Sequence, residues 1–391
     1  MYAPNIDITG FPDQPAGLPR NDSPEEYPPD PWSSRKLQHK SQHLFSENGG
    51  RIRPQETSKE FQDKESVMKR IEMIKGAKKM VDEFTNIKEG ENVLIITDTQ
   101  MPFSIAEVLA IACTERGAVP VITLMNPNPH GGMEPPPTVG EAMQKAQVMF
   151  IATSQGLMHS ESRVRAARGG ARGMQIVGLT EEDMFKGAIE ANFLETRALG
   201  EKIGNVLREA KEVHVTNPAG TDIYLDFKGQ GEKVRTFTNI CHGPGQFGVM
   251  NLEVAISPNV GTAHGVIVCD ASVTLFHGLL KDNIRVAVEK GRVTEITGGA
   301  EALRVANLLE SLNDPMVYNV AELGISYNPK AKMTGVPVQD KGVYGACHIG
   351  IGSNITWGGS IKAATHFDFN LYSPTIVLNG KTILEKYRFN L

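Results

Sequence analysis

The stretch ENVLIITDTQMPFSIAEVLAIACTERGAVPVITLM, residues 91–125, switches twice between two kinds of periodicity. VLIITD is a short apolar run rich in branched residues, the pattern of a strand buried on both faces, and VPVITLM repeats it. Between them, PFSIAEVLAIACTERGA spaces its apolar residues by three and four, as one face of a helix does, and Gly117 closes the run. Strand, helix, strand at this pitch predicts two parallel strands joined by a crossover helix. The alternation extends both ways. SVMKRIEMIKGAKKMVDEFTNI (66–87) reads as a preceding helix, AQVMFIAT (146–153) as a third strand, SESRVRAARGGA (160–171) as a helix and MQIVGLT (174–180) as a fourth strand. Residues 61–203 are therefore expected to form a doubly wound α/β domain. No G-x-G-x-x-G turn follows the first strand, so dinucleotide binding is not expected.

The character changes after about residue 204. KEVHVTNPAGTDIYLDFKG, GVIVCDASVTL, IRVAVEKGRVTEITGG and TIVLNGKTILEKYRF are short alternating runs joined by Asn, Gly and Lys-Gly turns, which read as antiparallel hairpins. One helix, AEALRVANLLESL, interrupts them. Residues 204–391 are expected to be a β-rich α+β domain. Residues 1–60, rich in Pro, Asp, Ser, Gln and Lys, show neither period; they read as a disordered tail, or as an extended arm laid on a neighbouring subunit.

Bulk properties narrow the function. With 40% hydrophobic and 22% charged residues and a net charge of -5 over 391 residues, the chain has no electrostatic footprint for nucleic acid. No apolar run is long enough for a membrane span and the N-terminus lacks a signal-peptide pattern. Cys113, Cys241, Cys269 and Cys347 form no C-x-x-C pair, which argues against a zinc ribbon or redox dithiol. A cytoplasmic enzyme acting on a small-molecule or short peptide substrate is the expectation.

The stretch ACHIGIGSNITWGGSIKAATHFDFNL, residues 346–371, carries the chemistry. His366 and Asp368 are two apart, so on a strand they share a face and can converge on one ion. His348 lies 18 residues before His366, a separation one hairpin can close. Imidazole and carboxylate suit a divalent first-row metal. The same residues also fit a solvent-facing pair or a hydrogen-bonded core histidine; the spacing alone does not choose.

Longer segments carry a resemblance. NVAELGISYNPKAKMTG, DKGVYGACHIGIGSN and GGSIKAATHFDFNLYSPTIVLNGKTI, in that order, together with GTDIYLDFKG and GVMNLEVAISPNVGTAHGVIVCDASV, resemble the aminopeptidase T/aminopeptidase S metallopeptidases. That resemblance implies two divalent ions, zinc, cobalt or manganese, held by Glu253, Glu322, His348, His366 and Asp368, with Glu322 assisting deprotonation of water and hydrolysis of an amide-like C–N bond. It also implies a homo-oligomer, a dimer or larger. Two departures stand out: the tyrosine that such peptidases carry shortly after the HIGIG histidine is missing, Asn354, Ile355 and Thr356 occupying that region, and Met250, Asn251 and Leu252 replace the residues usual before Glu253. The chain resembles in addition the 2,5-dihydroxypyridine dioxygenases, which share the fold, at its NPKA segment and its H-x-D pair. That resemblance implies the alternative function, ring cleavage at a single Fe(II) on two histidines and one aspartate; Glu322 stands where those enzymes have their first histidine, so the ligand pattern follows the hydrolases, yet His348, His366 and Asp368 could still make such a triad.

His159, after the third strand, lies where open α/β sheets present ligands. Both resemblances imply a catalytic or substrate-orienting role for it; a residue beside the Ser160 helix cap is the plainer reading. His242 in CHGPGQ is a further candidate for the cleft. Arg163, Arg165, Arg168 and Arg172 look like a phosphate-seeking cluster but are expected to form a solvated helix face.

Overall fold

The computed structural model describes residues 58–391 apart from 159, with side chains from residue 67 onward. The tail expected over 1–60 lies almost wholly outside these residues, as does His159.

Asn92–Asp98, Val119–Met125, Val148–Ala152 and Arg172–Gln175 form a parallel sheet in which the first strand lies between the second and the third. Alternation along the first strand explains why helices cover both faces. Val93 and Ile95 pack with Met73, Ala77, Ile105 and Leu109 of the helices Ser58–Lys79 and Phe103–Glu115. Leu94 and Ile96 point the other way, to Val139, Met143 and Ala166 of the helices Pro137–Met143 and Glu161–Arg168. The doubly wound arrangement is thus built by period two in the strands meeting period 3.6 in the helices.

Two features depart from the linear reading. Phe247–Gly248, a two-residue strand from beyond residue 204, adds to the parallel sheet beside Arg172–Gln175. The helix Phe193–Arg208 runs through the boundary expected after residue 203. The arginine cluster also dissolves. Arg163 and Arg172 are buried, Arg163 donating to the Met158 carbonyl and Arg172 gripping both carboxylate oxygens of Glu91, while Arg165 pairs with Glu141.

The second half builds two antiparallel sheets. One has eight strands, from Arg292–Thr297 at one edge to Arg388–Phe389 at the other. The other has six, in the order Ser272–Val273, His366–Leu371, Cys347–Gly352, Val320–Ser326, Glu253–Ile256 and Arg235–Phe237. One face of this six-stranded sheet is apolar: Val254, Ile256, Leu323, Ile325, Ile349, Ile351, Phe367, Phe369 and Leu371 all enter the main core. Strand alternation then forces Glu253, Glu322, His348, His366 and Asp368 onto the opposite face.

All four cysteines are buried and none forms a disulfide. No described helix is long and apolar enough to cross a membrane.

Candidate metal centre

Five side chains expected from distant parts of the sequence meet on this face. A register shift between Val320 and Glu322 brings Glu322 opposite Gly350, so Val320 can still face the apolar side with Ile351 while Glu322 turns to the polar one. Gly350 also pairs with Asp368, and Gly324 pairs with His348. The absent side chains at these glycines are the room for the cluster. A Cβ on Gly350 would lie 2.8 Å from the Glu322 Cβ, 2.9 Å from His366 Cε1 and 3.0 Å from Asp368 Oδ1.

Donor atoms converge closely. His348 Nε2 lies 3.2 Å from Glu322 Oε1 and 3.4 Å from Glu253 Oε2. His366 Nε2 lies 2.9 Å from Glu322 Oε2 and 3.4 Å from Asp368 Oδ1. Among the described residues, donor atoms within 4.8 Å of one another form two triads, Glu253–Glu322–His348 and Glu322–His366–Asp368. Glu322 belongs to both. The two histidines fall into different triads, so the set His348, His366 and Asp368 alone is not one of the groups this close.

Orientation is set from behind. His366 Nδ1 donates to the Ser353 carbonyl at 2.8 Å, which fixes the ring and directs Nε2 into the cluster. Thr274 ties down Asp368, its hydroxyl accepting from the Asp368 backbone N–H at 2.8 Å.

A residue not singled out from the sequence completes the charge pattern. Lys341 Nζ lies 3.1 Å from Asp368 Oδ2 and 3.6 Å from Glu253 Oε2. It follows the short helix Pro337–Asp340, and its carbonyl accepts from Ser326 Oγ at 2.6 Å. Burial disfavours its ammonium, but Asp368, Glu253 and Glu322 outweigh burial and hold the proton more tightly than usual. Burial raises Glu253 above the ordinary glutamate range. Burial would also raise Glu322, yet Lys341, His348 and His366 bring it down to about 2. His366 is pushed down by burial and up more strongly by Asp368 and Glu322, reaching about 10.

The Lys341 ammonium and a protonated His366 do not together balance three buried carboxylates. Both oxygens of Glu253 are buried without a hydrogen-bond partner among the described residues. Buried polar atoms are seldom left so, and an orphaned carboxylate oxygen is costly. Oxygen and imidazole donors without sulfur fit a divalent first-row cation, which would satisfy these atoms and offset the remaining negative charge.

Other candidates are placed differently. His242 donates through Nε2 to the Glu83 carbonyl at 2.7 Å and lines a surface cavity of about 620 Å³, together with Arg197, Arg235, Thr236, Phe237 and Phe247. None of the five clustered residues lines that cavity. In the region of the missing tyrosine, Asn354 is structural: its amide donates to Ser257 Oγ at 3.0 Å and its side-chain oxygen accepts from the Ile361 N–H at 2.8 Å.

Comparison with known proteins agrees with this architecture. Over 191 residues the chain is 27% identical to the 2,5-dihydroxypyridine 5,6-dioxygenase of Pseudomonas putida, a match that takes in 46% of this chain and 54% of that protein. The chain thus spans about half the length of that relative. The solved structure of 2,5-dihydroxypyridine dioxygenase from Pseudomonas putida KT2440 is similar with a TM-score of 0.67 at 19% identity, over 82% of this chain and 97% of that one. The solved structure of wild-type AmpT from Thermus thermophilus is similar with a TM-score of 0.57 at 14% identity, over 82% of this chain and 100% of that one. At such identities these two likenesses speak for the fold. Residues 72–390 match the family model described as NicX, 2,5-dihydroxypyridine 5,6-dioxygenase, a span that contains the whole cluster, and the chain belongs to that family.

Proposed function

We propose that this protein is a metal-dependent, ring-cleaving dioxygenase that acts on a small hydroxylated N-heterocycle. The observation that carries this reading is the family match running through all five clustered residues. Glu322, His366 and Asp368, a triad whose donor atoms converge, would hold Fe(II), with His348 on the far side of Glu322. Bound Fe(II) would supply open positions for a catecholate-like substrate and for dioxygen. The chain's own residues prepare the site: Ser353 aligns His366, Lys341 offsets carboxylate charge beside Asp368, and the sheet behind excludes water through its apolar face.

One observation favours a second reading, hydrolysis of an amide-like C–N bond. Glu322 is shared by two triads that separate His348 from His366, and such a carboxylate suits two ions of the zinc, cobalt or manganese kind. Two ions side by side can clamp both a nucleophile and a polarised carbonyl.

Elemental analysis combined with substrate assays separates the two. Iron at one per chain, with oxygen uptake matching loss of 2,5-dihydroxypyridine, is the expected result. Two zinc-like ions per chain, amide or peptide hydrolysis, and no oxygen uptake with the ring would overturn it in favour of hydrolysis.

A further inference from the structure

The connection between the His348 strand and the His366 strand carries Trp357, whose side chain has work left to do. It sits at the end of the turn Ile355–Trp357, held by a Trp357 N–H bond to the Asn354 carbonyl at 3.0 Å and closed by Gly358 at φ 72°. Asn354 in turn is locked to Ser257 and to Ile361. The turn is therefore fixed before any ligand arrives. The Trp357 ring centroid lies 6.1 Å from that of His366 and 5.6 Å from that of Phe237, the latter at 90°.

Phe237 belongs to the same site wall. It is the register partner of Glu253 across the sheet edge, so both side chains leave on the polar face. Its carbonyl accepts from the Tyr327 hydroxyl at 2.8 Å, which secures that edge. The Trp357 ring thus stands beside His366, and Phe237, in contact with it, leaves the sheet next to Glu253.

Trp357 is only 5% exposed, and its Nε1–H has no hydrogen-bond partner among the described residues. The indole nitrogen is solely a donor, and a buried one ordinarily finds an acceptor. An unmet donor beside an aromatic edge and a group of metal-ligating side chains describes a receptor for a flat molecule with an acceptor on its rim.

We infer that Trp357 is the substrate-positioning residue of this site: its indole N–H donates to an oxygen or nitrogen on the rim of a planar ring that lies against the Trp357–Phe237 wall. The inference rests on the ring-cleavage reading for the identity of the ring. It makes Trp357 responsible for affinity and orientation, while the metal-ligating residues are responsible for chemistry.

The test compares metal-replete wild type with Trp357→Phe, which keeps an aromatic ring and loses the donor. KM for 2,5-dihydroxypyridine should rise about 3- to 10-fold, in line with loss of one neutral hydrogen bond, with kcat changed less and metal content unchanged. The chain has two tryptophans, Trp32 and Trp357, so in a Trp32→Phe background the emission reports Trp357 alone. Anaerobic addition of 2,5-dihydroxypyridine should alter that emission saturably. An unchanged KM in Trp357→Phe, or silent emission while wild type turns the ring over, overturns the inference and leaves ring cleavage standing. Saturable emission change without oxygen uptake in wild type supports the binding role and counts against ring cleavage instead. Equal metal content and melting temperature in the variant show that misfolding is not the cause.

Discussion

The imidazole of His348 lies across the backbone of Gly324: the two are register partners, and a Cβ built on Gly324 would stand 2.0 Å from Nε2 and 2.1 Å from Cε1. No side chain other than hydrogen fits there with His348 in place. Gly324→Ala must displace the imidazole, and divalent-metal affinity should fall about 10- to 100-fold, the usual effect of disturbing the residues that orient a ligand. Calorimetric metal titration of the variant checks this. Unaltered affinity would show that His348 takes no part in binding.

Metal uptake should release protons. His366 Nδ1 is committed to the Ser353 carbonyl, so a cation must take the lone pair of Nε2. In the metal-free protein that nitrogen stays protonated up to about pH 10: burial works against the charge, but Asp368 and Glu322 favour it more. Below that pH the cation displaces the proton, so affinity should climb as pH rises, by roughly tenfold per unit. Titrations at pH 7–8 in buffers of different ionisation enthalpy should show roughly one proton released from this site per chain. A binding enthalpy independent of buffer would contradict the assignment.

Lys341→Met should separate the metal-free from the metal-loaded protein. The ammonium, 3.1 Å from Asp368 and 3.6 Å from Glu253, is, beside a protonated His366, a counter-charge to these carboxylates before a cation binds. Breaking a buried pair on one side costs on the order of 3 kcal/mol. The metal-free variant should therefore lose far more thermal stability than the metal-loaded variant, in which the cation compensates the same carboxylates. Differential scanning calorimetry with and without metal measures both, and equal losses would mean that Lys341 and the cation do not share partners.

Away from the site, Arg172 and Glu91 form a two-pronged pair at 2.7 and 2.8 Å that pins the start of the first strand to the fourth. Burial pushes the Glu91 carboxyl up, but Arg172 and the Lys88 N–H hold it below its usual 4.5. A depressed carboxylate contributes stability that is present above the unfolded value and lost as pH falls through the folded one. Glu91→Gln should lower the melting temperature at pH 7, and the difference from wild type should close as pH drops below about 4.5. A gap that persists at pH 3 would assign the effect to packing rather than charge.

The alternating strands and helices of residues 91–180 were legible in the sequence because period two and period 3.6 are written locally, and the same holds for the hairpins near the C-terminus. Phe247–Gly248 was not legible, since two residues carry no period and are recruited to the sheet by their neighbours. The five clustered residues were found chiefly through resemblance, yet a physical signal was present. In AELGIS and HIGIG a glycine stands two positions from each charged or imidazole side chain, leaving space on the polar face while Leu, Ile and Phe fill the other. Lys341 and Trp357 escaped because each sits in a turn, where direction depends on tertiary contacts such as Ser326 to the Lys341 carbonyl and Asn354 to Ser257. The arginine cluster misled for the reverse reason: Arg163, Arg165 and Arg172, close in sequence, found partners in three different places.

Metal stoichiometry and affinity in Glu322→Gln, measured by elemental analysis and calorimetry beside wild type, bear most directly on the shared role of this carboxylate. Wild type should take up divalent metal, and the variant, deprived of the one residue common to both triads, should lose it or bind at least 100-fold more weakly, as expected when a central ligand is removed. Retention of the same number of ions at the same affinity would mean that Glu253, His348, His366 and Asp368 bind without Glu322, or that the cluster holds no metal at all.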